Sequence, residues 1–180
     1  MLGAGVSMDS QGNIGKEGFV QKGLGKLVDA VSPGVIEYEA NKRNVVLISA
    51  KTTLRERWQE VPEEMGRTGA REMFLATLDE KISDDVLNTL YEANIQLTTT
   101  KAIKQKSYSR NSRVLTFEDL VNICIDTSKQ WEHYSFEADK IEQAIAIVNK
   151  QIKKHENHEF VKRSLMNRIM TYREKLIQAK

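Results

Sequence analysis

The apolar positions Phe19, Val20, Leu24, Leu27, Val28 and Val31 recur at helical spacing and predict a helix over residues 14–31. Gly18, Gly23 and Gly25 weaken it by about 1 kcal/mol each relative to alanine, which suits a backbone that something must approach closely. Pro33-Gly34 breaks the pattern. Residues 35–40 (VIEYEA) alternate, and residues 45–50 (VVLISA) form a continuous apolar run of buried-strand type. With a polar turn at 41–44 between them, the two runs predict a hairpin. Thr52 and Thr53 can cap a helix over 54–65, bent near Pro62. A strand at 73–78 (MFLATL), a helix opened by Ser83, Asp84 and Asp85, and a strand at 95–99 (IQLTT) make a βαβ unit with parallel strands. Residues 101–113 read as a loop, and Thr116 with Asp119 caps a helix to about 126. Two long helices follow, over 129–153 and 159–180. Their stripes, Ile141, Ile145, Val148 and Ile152 against Val161, Leu165, Ile169, Tyr172 and Leu176, predict an antiparallel hairpin bent at 155–158.

Composition narrows the class without choosing a function. Hydrophobic residues make up 40% and charged residues 29% of 180 positions, which suits a globular chain and argues against disorder. No apolar run reaches the ~20 residues of a membrane span, and the start lacks the basic and apolar regions of a signal peptide. The single cysteine, Cys124, excludes an internal disulfide and any multi-cysteine metal site. A soluble cytoplasmic protein is expected. Its net charge of +2, from 27 basic and 25 acidic side chains, is too balanced to name a partner. The expected division is a Gly/Ser-rich flexible lead-in at 1–13, a mixed α/β core at 14–127 and the helical hairpin at 128–180.

Chemistry concentrates in residues 49–64, SAKTTLRERWQEVPEE. Lys51 ends a buried strand, and the helix that follows carries Arg57, Glu60 and Glu64 on one face. A cation, carboxylates and an arginine thus gather at one strand end. Carboxylates there could hold Mg²⁺, the lysine could position a water, and the arginine could clamp a phosphate. A solvated charged helix face is the plainer alternative.

This stretch resembles the PD-(D/E)XK nuclease superfamily, specifically type II restriction endonucleases. The likeness is to the subgroup with serine at the usual acidic position before the lysine and a glutamate recruited from the following helix. Ser49 and Lys51 match the serine-x-lysine pair, and Glu64 matches the displaced glutamate, with twelve residues between it and Lys51. KTTLRERWQEV is similar to the Lys-Thr-Thr…Arg-Trp-x-Gln-type run of that family, with Arg57 as the arginine near the catalytic centre.

The resemblance implies a restriction-endonuclease-like mixed β-sheet flanked by helices. It also implies Mg²⁺-dependent, site-specific cleavage of double-stranded DNA by a homodimer, with the helical hairpin at 128–180 as a candidate dimer or DNA-clamp element. Catalysis would fall to Ser49, Lys51, Arg57 and Glu64, with Glu64 also a metal ligand. The family's first strand begins with Pro-Asp, whose aspartate is the central metal ligand, and here that dipeptide is Pro33-Gly34, seventeen residues before Lys51. Three explanations stand: Gly34 replaces the aspartate and inactivates the chain, Glu37 or Glu39 takes over, or the register of the match is shifted. Glu17 would be an extra acid of the metal shell. A non-catalytic DNA-binding module and a repair or recombination nuclease remain as alternatives.

Lys101, Lys104, Lys106, Arg110 and Arg113 fall within thirteen residues with no acid among them. With Asn111 they suit a DNA-contacting loop, as do Arg55, Arg67 and Arg71 beside the candidate site. His155 and His158 lack further ligands for zinc, His133 beside Trp131 and Tyr134 suits packing, and Cys124 suits an inert core thiol.

Overall fold

A computed structural model describes residues 1–179, apart from the side chains of Glu56 and Arg57. Its centre is a six-stranded sheet with the strands in sequence order: β1 (Asp9–Ser10), β2 (Ala30–Ser32), β3 (Val46–Lys51), β4 (Met73–Thr77), β5 (Ile95–Thr99) and β6 (Leu115–Thr116). β2 runs antiparallel to both its neighbours, β1 and β3, while β3 to β6 run parallel. The expected parallel βαβ unit is present: β4 and β5 flank α5 (Asp84–Glu92), which Ser83 caps by accepting the Val86 N–H. Among the described residues no helix is long and apolar enough to cross a membrane.

Alternate strand residues feed two cores, as the pleat requires. Val31, Leu47, Met73, Leu75, Ile95 and Leu97 pack on one face, against the long helices. Ala30, Val46, Ile48 and Phe74 pack on the other, against Leu120 and Cys124 of α7 (Phe117–Lys129). The C-terminal hairpin is formed by α8 (Ala138–Lys154) and α9 (Glu159–Gln178). Residues 130–137, expected within its first helix, are instead a turn where Trp131, Tyr134 and Phe136 stack together.

Four local expectations are corrected. The helix expected over 14–31 is two short pieces, α1 (Gln11–Ile14) and α2 (Lys16–Gln21), after which the chain enters β2. Residues 1–13 supply the edge strand β1 and the buried Val6 rather than a structureless lead-in. Residues 35–40 form a helix, α3 (Val35–Ala40), and the antiparallel partner of β3 is β2. Val35, Ile36, Glu37 and Tyr38 are all buried in succession, so this short run has no solvent face and its alternation carried no strand signal. Residues 101–107 are helical as well: Thr100 caps α6 (Lys101–Ser107) by accepting the Ile103 N–H.

Candidate functional site

The parallel strands β3, β4 and β5 end on one edge of the sheet, and Lys51 is the last residue of β3. Open α/β sheets receive ligands outside such strand ends. Lys51 Nζ lies 3.0 Å from Asp29 Oδ2, with the two side chains 16% and 38% exposed. Asp29 is locked to β3 by its backbone and side chain together. Its N–H donates to the Ile48 carbonyl at 2.8 Å, and its Oδ2 accepts the Ala50 N–H at 2.7 Å. The antiparallel crossing of β2 and β3 therefore sets a carboxylate and an ammonium side by side at the edge of solvent.

Glu64 joins from the helix that follows β3. It lies on α4 (Glu60–Thr68), beyond a 3₁₀ turn at Arg55–Gln59, and is 8% exposed. Its Oε1 accepts the backbone N–H groups of Lys26 and Leu27, just ahead of Asp29. Gly25 has φ +75°, and a Cβ there would fall on the Glu64 carboxylate. A glycine is therefore what lets the helix come this close. The segment 25–29 collects Glu64 at one end and Lys51 at the other.

Ser49 projects from the same strand face as Lys51, fully buried, with no hydrogen-bond partner for its Oγ. The role expected of Arg57 concerns a side chain outside the described residues. Arg55 is exposed and has φ +43°. Arg67 is exposed and paired with Glu63, with its Nη1 3.9 Å from Glu64, and Arg71 pairs with Glu72 at 2.8 Å.

Gly34, Glu37, Glu39 and Glu17 are not brought to Lys51. Gly34 lies beside a sealed cluster: Arg168 Nη1 is 2.9 Å from Asp9 Oδ1, and Gln151 Nε2 donates to the same oxygen at 2.8 Å. Tyr172 accepts from Arg168 at 3.0 Å and donates to Glu37 Oε1 at 2.9 Å. A Cβ at Gly34 would press on Arg168, on Asp9 Oδ2 at 2.6 Å and on Glu37 Oε2 at 2.9 Å, so this position has no room for the expected aspartate. Burial holds the Glu37 carboxyl above the usual carboxylate range against the pull of Arg168. Glu39 pairs with Lys22 at 2.7 Å and Lys140 at 3.3 Å, and Glu17 is exposed on α2.

Sequence reasoning missed Asp29, twenty-two positions ahead of Lys51. The signal was an aspartate directly before a short β-prone triplet, hidden in a run read as helix. It also missed Asp79, whose Oδ2 accepts the Leu54 N–H at 3.1 Å and so steadies the chain leaving Lys51.

The basic segment starts on the same sheet edge, because α6 follows directly from β5. Lys101, Lys104 and Lys106 lie on α6, and Lys106 pairs with Glu80 at 2.6 Å. Asn111 Oδ1 accepts the Arg113 N–H at 3.0 Å, while the Arg113 guanidinium bonds Asn88 at 2.9 Å and covers the Tyr91 ring at 4.2 Å. Arg110 is exposed beyond α6. Burial raises the Cys124 thiol to about 11, so it is inert as expected.

Among the described residues no group of three or more His, Cys, Asp or Glu side chains converges as a metal cage. Asp29 and Glu64 still offer the one or two carboxylates with which Mg²⁺ is commonly held alongside phosphate and water.

The family model described as EcoRII C terminal matches residues 19–121. The type II restriction enzyme SsoII of Shigella sonnei is 50% identical over 169 residues, which cover 94% of this chain and 55% of that protein. The structure of metal-depleted Ecl18kI in complex with uncleaved DNA is similar at TM-score 0.81 and 48% identity, over 94% of this chain and 56% of that one. Its counterpart with uncleaved, modified DNA is similar at TM-score 0.83 and 48% identity, over 96% and 56%. The chain thus spans about half the length of the relatives it matches.

Proposed function

The chain belongs to the EcoRII C-terminal family, and on that premise we propose that it cleaves double-stranded DNA at a specific sequence, as a Mg²⁺-dependent endonuclease acting as a homodimer. The observation that carries this reading is the contact of Lys51 with Asp29 at the end of β3, with Glu64 tethered to the same short segment. In this reading Asp29, rather than Gly34, stands for the aspartate of the family's first strand, and glycine at 34 does not make the chain inactive.

In this reading Asp29 and Glu64 are the residues that would hold a magnesium ion, which would supply Lewis acidity and a more acidic bound water. Lys51 does the work of a fixed cation. Held by Asp29, its ammonium orients the attacking water and balances charge on the phosphate oxygens as the new P–O bond forms and the backbone P–O bond breaks. Ser49 is a packing neighbour on the same face. Lys101, Lys104, Lys106, Arg110 and the exposed Arg55 and Arg67 take up phosphates, with Asn111 and the arginines as candidate base readers. Cutting both strands of a palindrome calls for a twofold dimer.

The test is cleavage of plasmid DNA with Mg²⁺ by the parent chain, Asp29→Asn and Lys51→Ala. Each variant should lose at least about 10²-fold in rate while duplex affinity stays within a few-fold. Unchanged cleavage in both would overturn the assignment. Duplex binding by a parent chain that never cuts would favour a binding module instead.

A further inference from the structure

Arg55 opens the turn that follows the end of β3. It is exposed, and its φ of +43° lies in the left-handed region that residues other than glycine rarely occupy. A residue in such a conformation is held there by its surroundings, and such residues gather at functional sites. The restraint lies just ahead of it. The Leu54 side chain is 1% exposed, and the Leu54 N–H donates to Asp79 Oδ2 at 3.1 Å.

Asp79 stands in the loop after β4. Its Oδ1 accepts the Lys81 N–H at 3.1 Å, the local turn that an aspartate commonly makes two residues on. That turn needs one oxygen. The other reaches back twenty-five positions to the passage that leaves Lys51. The loop itself is fixed without help from this carboxylate. The Leu78 N–H donates to the Thr52 carbonyl at 3.3 Å, and the Asp79 N–H donates to Thr77 Oγ1 at 3.1 Å. The Tyr108 hydroxyl, at the end of α6, donates to the Asp79 carbonyl at 3.0 Å and accepts the Ile82 N–H at 3.1 Å. The carboxylate therefore sits on a firm mount between the basic helix and the residue that precedes Arg55.

We propose that Asp79 is a positioning residue for sequence recognition: its Oδ2 fixes the backbone ahead of Arg55 and so aims the Arg55 guanidinium at the base edges of the duplex. This rests on the reading of Arg55 as a DNA contact of a site-specific nuclease. A base edge is read only by a donor held at the right place and angle, whereas a phosphate attracts any cation near it. The lysines of α6 and Arg67 do not bond the Asp79 side chain. Loss of the carboxylate should thus cost discrimination between sequences and spare general affinity for DNA.

The experiment measures duplex binding without Mg²⁺, so it is independent of cleavage. Selection from duplexes with a randomised centre gives the sequence the parent chain prefers, and titration compares that duplex with a scrambled one. Asp79→Ala should lower the ratio of the two affinities about tenfold or more, with the scrambled duplex bound within about threefold of the parent. Asp79→Asn keeps one acceptor and turns a donor toward the other N–H, so its ratio should fall between those of Asp79→Ala and the parent. An unchanged ratio in Asp79→Ala would overturn the proposal. So would equal losses on both duplexes, which mark a general loss of folded protein. If thermal unfolding shows that Asp79→Ala does not fold, the same two criteria apply to Asp79→Asn. A parent chain with no preferred duplex would overturn the proposal as well, while Mg²⁺-dependent cutting that Lys51→Ala removes would leave the cleavage reading standing.

Discussion

Two carboxylate–cation pairs of nearly equal length sit in this molecule in opposite surroundings. Asp29–Lys51 closes at 3.0 Å on the strand-end edge, where its side chains keep 38% and 16% of their surface. Asp9–Arg168 closes at 2.9 Å with 1% and 6%. The first has two further backbone hydrogen bonds on Asp29 and open space beside it. The second is boxed in by Gln151, Tyr172 and Glu37, and it joins β1, α3, α8 and α9. Distance alone does not separate the two pairs; access to solvent does. A sealed pair is expensive to break because removing one partner strands the other in low dielectric, whereas an open pair is answered by water.

The largest difference should appear on deleting each cation. Arg168→Met should destabilise the chain by about 3–5 kcal/mol in urea unfolding. Lys51→Met should shift stability by about 1 kcal/mol or less, yet remove cleavage. Equal losses of stability would erase the contrast. Next in size is Gly34→Asp. Its carboxylate would crowd Arg168, Asp9 and Glu37, so the expected result is a loss of about 3 kcal/mol or more and no gain of cleavage. A well-folded Gly34→Asp chain that cuts faster than the parent would move the catalytic centre to the sealed cluster.

The smallest effect is a slope against pH. Burial, with the Asp9 charge adding, raises the Glu37 carboxyl above its ordinary 4.5 in the native state. The unfolded chain therefore ionises first as pH rises, and stability contributed by the protonated form is complete below about 4.5 and is lost upward through the native value. Glu37→Gln keeps an acceptor for Tyr172 and should flatten that decline in urea midpoints measured from mildly acid to neutral pH. An unchanged slope would show that folding does not raise the Glu37 carboxyl.

The sequence made Lys51 and Glu64 legible because both lie on one continuous strand–turn–helix passage, where spacing translates directly into position. Asp29 was not, since its place depends on an antiparallel crossing between β2 and β3 that no local pattern announces. Pro33-Gly34 was matched for the same reason, although Gly34 lies beside the sealed cluster rather than beside Lys51. The parallel core was readable because the apolar runs at 73–78 and 95–99 bracket a helix whose cap, Ser83, stands in the sequence. VIEYEA was too short and too buried for alternation to mean strand, and the lysines of α6 obscured a helix that Thr100 alone signalled.

The order of the strands also sets how the chain must assemble. Every strand hydrogen-bonds the one next to it in sequence, so the sheet can grow outward one neighbour at a time without closing a loop across the whole chain. The lock on its first strand is different: Asp9 waits for Arg168, 159 positions further along. β1 is thus the earliest strand made and among the last to be secured. Until α9 docks, the Asp9 carboxylate and the Met8 carbonyl lack Arg168, and synthesis or refolding halted at that stage leaves the edge strand less firmly held.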